Sequence, residues 1–430
     1  MFFLESSLPF LKVFAAFAAM LAGIRLRLPL SLSILFGGIL LGFFFGVGGG
    51  EIILACTRAL IEEKFLLLAA IVGLILVLSD ALERSGQSKR LMDALSGYLT
   101  RPRVRLVFFP ALIGLLPMPG GAIFSAPLTD AASRDMDMDN TQRALINYWF
   151  RHIWELAWPL YPGFILIVAL ADIPISAFIS RTWPAVLIML CTGWFFFLRP
   201  GVLQVESSTA ANNECEQGLK GVFVQGLPLI VAIVGSVGLE CLIPVVAPKV
   251  PFEFGVLAAL VLSILCIMVQ NRLGSDFMRQ VLSKKSLYSM LLVIAAIFMF
   301  KEVMYAADVV GAMAEAAGDD AALLAAAVFL PFLVGMVSGI TVAFAGSTFP
   351  LLLGIIDTLG IQEQMIPYLV LASFAGFTGV LVSPLHICFI LTCRFFRVDV
   401  ARAWRKLVLP SLVFAVCGFF LFVFLLVKMP

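Results

Sequence analysis

The segment Asn147-Tyr148-Trp149-Phe150-Arg151-His152-Ile153-Trp154-Glu155-Leu156-Ala157-Trp158-Pro159-Leu160-Tyr161-Pro162-Gly163 lies inside an apolar run extending from about residue 144 to 171. The run is long enough to cross a membrane, for which about 20 apolar residues suffice. It also carries two prolines and a glycine, and proline removes a backbone donor and clashes with the preceding turn. The run therefore reads as a broken helix. Backbone groups freed by the break cannot face lipid, where each unsatisfied group costs several kcal/mol, so they must be buried or line a watery cavity. A second run of the same kind, about 365 to 393, is broken at Gly379-Val380-Leu381-Val382-Ser383-Pro384.

Working outward, the two breaks organise the chain into halves. Apolar runs fall near 8–24, 28–50, 65–82, 144–171 and 182–198, and again near 222–247, 252–270, 287–305, 365–393 and 407–428. Each half holds one irregular apolar piece, at about 103–130 and 322–353. The first is interrupted by Pro117, Pro119, Gly120 and Gly121, the second by Ser338-Gly339 and Gly346-Ser347. Pro29 and Pro251, Pro127 and Pro350, and Pro159 and Pro384 are 222, 223 and 225 positions apart. Matching offsets and matching runs predict an internal repeat, residues 1–203 and 221–430, joined by the polar stretch 204–220.

Composition agrees. The chain has 430 residues, of which 62% are hydrophobic and 13% charged, against about 45–50% and 25% in a soluble domain. A mean hydropathy of +1.07 leaves room for little besides membrane spans, and a net charge of +2 creates no field to recruit nucleic acid. The first apolar run lacks a basic leader and is expected to be retained as a span. The eight cysteines show no CxxC spacing and read as small core hydrophobes. If each irregular piece enters and leaves on one side, every half crosses five times and the second half is inverted. Of 29 basic residues, 21 then fall in one set of loops and five in the other. The positive-inside rule makes the richer side cytoplasmic and puts both termini outside.

The predicted fold is an all-α polytopic membrane protein of two inverted repeats of five transmembrane helices, each with a re-entrant hairpin and a broken helix. Half-helix ends inside a membrane are ion and substrate ligands, positive at the N-terminus and negative at the C-terminus. Candidate binding residues are therefore Pro119, Gly120, Gly121 and Ser125 on the first hairpin, and Ser338, Gly339, Thr341, Gly346, Ser347 and Thr348 on the second. Gly379, Ser383 and His386 join them at the second break. Asn147, Arg151, His152 and Glu155 are intramembrane polar groups of a kind usually tied to function. Arg151 and Glu155, at i,i+4, are also spaced to pair on one helix face. Asp80 with Glu83, and Lys301 with Glu302, read as scaffold pairs. No HExxH, GxGD or rhomboid-like Ser/His spacing points to a membrane enzyme.

The strings LLPMPGGAIFSAP, NYWFRHIWELAWPLYPG, SGITVAFAGSTFP and GFTGVLVSPLHIC resemble those of a prokaryotic integral-membrane family, number four hundred and one in the domain-of-unknown-function series. That family is similar to the ion transporter superfamily, which includes gluconate permeases, C4-dicarboxylate carriers and divalent-anion/sodium symporters. The resemblance implies a homodimer with scaffold helices at its interface, a mobile domain of hairpins and broken helices, and ligands near the hairpin tips. The paired Ser-Asn-Thr tip motif of the divalent-anion symporters is missing. Together these readings give an expected function: ion-coupled transport of a small organic anion of carboxylate or sugar-acid type by an elevator-like movement. The coupling ion is Na⁺ or H⁺, no other cofactor or metal is expected, and the chain sits in the inner (plasma) membrane. The alternative is a cation/proton antiporter.

Overall fold

The computed structural model describes residues 2–428, apart from 97, 100, 117–120, 135, 204–218, 248 and 318. Pro119 and Gly120 of the first hairpin and nearly all of the polar linker therefore lie outside the described residues.

The first half contains α1 (Phe2–Arg25), α2 (Leu30–Phe44), α3 (Gly49–Ile61), α4 (Glu63–Arg84) and α5 (Gln87–Ser96). It continues with α6 (Pro102–Gly114), α7 (Ala122–Ala132), α8 (Asn140–Arg151), α9 (Pro162–Ala171), α10 (Ile175–Thr182) and α11 (Pro184–Gly193), the last extended by a π-helical turn to Leu198. The second half contains α12 (Leu219–Val246), α13 (Glu253–Gln270), α14 (Ser275–Leu282), α15 (Lys285–Ala306) and α16 (Val309–Ala317). After it come α17 (Asp319–Leu324), a π-helical turn to Phe329, α18 (Leu330–Ser338), α19 (Thr341–Thr358), α20 (Met365–Leu381), α21 (Ile387–Phe395) and α22 (Val400–Lys428). No strand occurs among the described residues, and nine of the described helical segments are long and apolar enough to cross a membrane. The protein is a multi-pass, all-helical membrane protein.

Prolines explain several boundaries. Pro29 caps α2, Pro162 and Pro184 open α9 and α11, and Pro102 opens α6, where the fixed φ suits a first turn and the missing N–H has no partner to lose. Pro127 and Pro350 instead sit inside α7 and α19.

Contacts between the halves are reciprocal. The second helix of each half packs on the long fourth helix of the other, α2 on α15 and α13 on α4. The helix after each break packs on an arm of the opposite helix pair, α9 on α19 and α21 on α7. Within each half, α8 packs on α6 and α20 on α18. Glycines bring the last pair to backbone contact: a Cβ at Gly335 would meet the Gly376 carbonyl oxygen at 2.2 Å, and one at Gly379 would meet the Phe332 carbonyl oxygen at 2.2 Å. Close approach of this kind drives helix association where lipid offers no hydrophobic force. The inner helices α19 and α20 are 83% and 72% buried along their spans, whereas α12 and α22 are 28% and 33% buried and expose Phe223, Val234, Phe419 and Phe420.

Helices α4 and α15 pack on each other and are clamped at both ends by charge. Late in α4, Asp80 pairs with Arg84 at 2.9 Å and with Lys284, which caps the start of α15. Late in α15, Lys301 pairs with Glu62, the cap of α4, at 2.8 Å and with Glu302 at 3.4 Å. Asp80 and Lys301 thus hold scaffold helices together across the halves. Lys301 also lies 4.9 Å from the Phe298 ring centroid.

Hydrogen bonds to a charged group contribute about 1.5–3 kcal/mol, exposed ion pairs about 0–1 kcal/mol. Lys301→Met is therefore expected to lower the thermal unfolding midpoint of the detergent-purified protein by several degrees. Lys64→Met, which removes only the exposed pair with Asp172, should leave it nearly unchanged. Equal effects of the two substitutions would contradict the clamp.

Candidate functional site

Helix α8 ends at Arg151, the chain passes through turns from His152 to Tyr161, and α9 begins at Pro162. The last carbonyls of a helix have no partner within it, and inside a membrane water is not there to supply one. The broken segment does so for its neighbour α6. Trp154 Nε1 donates to Ala111 O at 2.9 Å, Trp158 Nε1 to Leu115 O at 2.9 Å, and the Tyr161 hydroxyl to Gly114 O at 2.5 Å. The second break, between α20 and α21, is served in the same way. The Tyr148 hydroxyl donates to Leu381 O at 3.0 Å, and Trp404 Nε1 donates to Val382 O at 2.6 Å.

The two breaks face one cavity of about 220 Å³. Arg151, His152, Glu155 and Tyr161 line it from the first break, and His386 and Cys388 from the second. Gly339, Ile340 and Thr341 come from the turn between α18 and α19, and Leu76 of α4 and Met290 of α15 close it on the scaffold side. The turn needs glycine: Gly339 has φ +65°, and a Cβ there would lie 2.8 Å from His386 Cα. Ser338 Oγ accepts from Ile340 N at 3.3 Å, and Ser383 Oγ accepts from Leu385 N at 3.2 Å, so these hydroxyls shape the two loops.

Arg151 is 3% exposed and its guanidinium fits only because position 121 is glycine: a Cβ there would lie 2.1 Å from Arg151 Nη2. Glu155 does not continue the face that carries Arg151, because the helix stops between them. Its carboxylate instead accepts from Thr341 Oγ1 at 2.5 Å, tying the first break to the tip of the second helix pair. The i,i+4 pairing expected from the sequence is replaced by this contact. The two histidines, 234 positions apart, meet Nε2 to Nε2 at 3.1 Å.

Of the residues proposed from sequence, Arg151, His152, Glu155, Gly339, Thr341 and His386 line the cavity, and Gly121, Ser338 and Ser383 back it. Others are placed elsewhere. Asn147 accepts from Thr129 Oγ1 at 3.1 Å and donates to Thr392 Oγ1 at 3.2 Å, joining α7, α8 and α21. The hydroxyls of Ser347 and Thr348 donate back to Ala343 O and Phe344 O within α19, both at 2.7 Å, and Ser125 Oγ points to Ala122 O at 3.5 Å within α7. Gly346 makes room for Ile297 of α15, and Gly379 for the backbone of α18. Tyr161 and Cys388 belong to the site without having been singled out in the sequence. The seven described cysteines are free, and Cys388, buried with the core, also lies against both histidines.

A family model described as "Protein of unknown function (DUF401)" matches residues 9–426. The chain belongs to this family. The match spans both breaks and both helix pairs, so the cavity is built entirely from the family's segment. No curated protein matches the chain.

The Gly121–Arg151 contact is testable by coupling. Gly121→Ala should destabilise the purified protein by about 1–3 kcal/mol, the usual cost of overpacking. Combined with Arg151→Ala, the same change should cost clearly less, a coupling of the size seen between touching residues. Additive effects in thermal unfolding would contradict the contact.

Proposed function

We propose that the protein is an ion-coupled secondary transporter of a small organic anion of the carboxylate or sugar-acid class. The observation that carries this reading is the cavity at the meeting of both breaks, walled by the buried guanidinium of Arg151. A guanidinium binds a carboxylate bidentately.

Topology is read as two inverted repeats, each with a re-entrant hairpin, α6–α7 and α17–α19, both termini outside, in the inner (plasma) membrane. The reciprocal packing of α2 on α15 and α13 on α4, and of α9 on α19 and α21 on α7, supports this. So do the matching roles of Pro127 and Pro350 within their hairpin arms. The hairpins and broken helices form the moving block, and the clamped α4–α15 pair belongs to the static one. Between them at the cavity stand the apolar side chains of Leu76 and Met290, a surface that slides without breaking polar contacts. A homodimer would anchor the static layer through its exposed apolar faces, with Na⁺ or H⁺ as coupling ion. The second reading, a cation/proton antiporter, draws on buried Glu155 and the facing histidines.

The test is a thermal-shift screen of purified protein against sugar acids, dicarboxylates, amino acids and Na⁺, since a ligand bound only by the folded state raises its stability. A carboxylate class is expected to raise the unfolding midpoint, and Arg151→Lys should weaken its binding ten-fold or more, about 1.4 kcal/mol per decade, because lysine lacks the planar fork. Stabilisation by cations alone, or an Arg151→Lys variant that binds normally, would contradict the anion reading.

A further inference from the structure

The histidine pair has an electronic problem that its surroundings define. His152 Nδ1 lies 2.7 Å from Tyr148 O, and His386 Nδ1 lies 2.6 Å from Gly339 O. A carbonyl oxygen only accepts, so each Nδ1 carries the proton. In neutral imidazoles both Nε2 atoms are then unprotonated, and they face each other at 3.1 Å, lone pair to lone pair. The arrangement calls for a cation between them. A third donor converges on the same point: Cys388 Sγ and the two Nε2 atoms all lie within 4.8 Å of one another. All three residues are buried, at 2%, 8% and 5% exposure.

We propose that His152 Nε2, His386 Nε2 and Cys388 Sγ bind one transition-metal ion of the zinc class. A proton shared between the imidazoles, or a thiol S–H of Cys388 donated to one of them, is the metal-free arrangement that the titration below separates from a bound ion. Imidazole nitrogen with thiolate sulfur is a donor set for Zn²⁺ and its neighbours, whereas Na⁺, Mg²⁺ and Ca²⁺ call for oxygen. The Nδ1–H to carbonyl bonds are the outer-shell contacts that fix tautomer and ring orientation in metal-ligating histidines. Two imidazole nitrogens about 2.0–2.1 Å from a tetrahedral ion stand roughly 3.4 Å apart, close to the distance seen. A thiolate about 2.3 Å from the ion stands roughly 3.5 Å from each nitrogen, so from a separation within 4.8 Å binding draws Cys388 inward by at most about 1.3 Å. Arg151 Nη1 lies 3.8 Å from Sγ, where its charge complements the thiolate. Three protein donors leave one tetrahedral position, and all three residues line the cavity, so water or an oxygen of the solute can complete the shell. The site stands on its own donors whether or not the cavity carries an organic anion.

The experiment uses the full chain, purified in detergent, stripped with a chelator and titrated with Co²⁺ as a spectroscopic probe. The expected result is one Co²⁺ per chain with a thiolate-to-cobalt charge-transfer band that Zn²⁺ abolishes by competition. Cys388→Ser should remove the band and weaken binding at least ten-fold, His386→Gln should weaken it similarly, and Cys417→Ser should change neither. Absence of a saturable thiolate band in the wild-type chain, as when the pair holds only a proton, overturns the proposal without any variant having to fold. So does a band that survives Cys388→Ser. A missing carboxylate-induced thermal shift would count against the anion reading and leave the cobalt result untouched.

Discussion

A helix broken inside hydrocarbon must find partners for the backbone groups it releases, and most of the inner architecture of this protein answers that requirement. Trp154, Trp158 and Tyr161 donate to carbonyls at the end of α6, Tyr148 and Trp404 to those at the end of α20, and the two histidines to Tyr148 O and Gly339 O. An aromatic donor suits the task because its polar tip reaches the carbonyl while its body stays apolar. His152 bonds back into the last turns of its own helix, and every other donor comes from a different element than its acceptor, so satisfying the backbone also fixes where the broken segments sit. The cavity is the space these bonds leave.

Around this inner block, α4 and α15 meet through ion pairs at either end, placed so that the acid late in one helix meets the base that caps the other, and the acid that caps the first meets the base late in the second. Both acids belong to α4 or its cap and both bases to α15 or its cap. Charge joins α4 to α15, and backbone-to-backbone packing at Gly335, Gly376 and Gly379 joins α18 to α20. Where α4 and α15 meet the cavity neither device is used, and the side chains they present, Leu76 and Met290, are apolar.

Much of the fold was legible in the sequence because membrane spans announce themselves by length and hydropathy, and because proline and glycine mark where helices break. Arg151, His152 and Glu155 stood out since charge within an apolar run is costly, and all three line the cavity. Other proposed residues are placed away from the cavity for a physical reason. Ser125, Ser347 and Thr348 turn their hydroxyls back to carbonyls of their own helix, and residue type alone does not give that rotation. Gly346 marks tight packing on Ile297 rather than an approach to a ligand; the same absent side chain serves either purpose. Cys388 escaped because its partners His152 and Arg151 are more than two hundred positions away, although its spacing of two from His386 was visible.

The central claim is that the two halves are inverted, so that hairpins entering from opposite faces bring both breaks to one depth. Accessibility of single cysteines to a membrane-impermeant thiol reagent tests this most directly, in a chain whose exposed native cysteines are replaced by serine. Arg134→Cys, beyond the end of α7, and Asp319→Cys, at the start of α17, stand at the bases of the two hairpins. The account predicts that position 319 labels on intact cells and position 134 only after the membrane is opened. Labelling of both from the same face would contradict it.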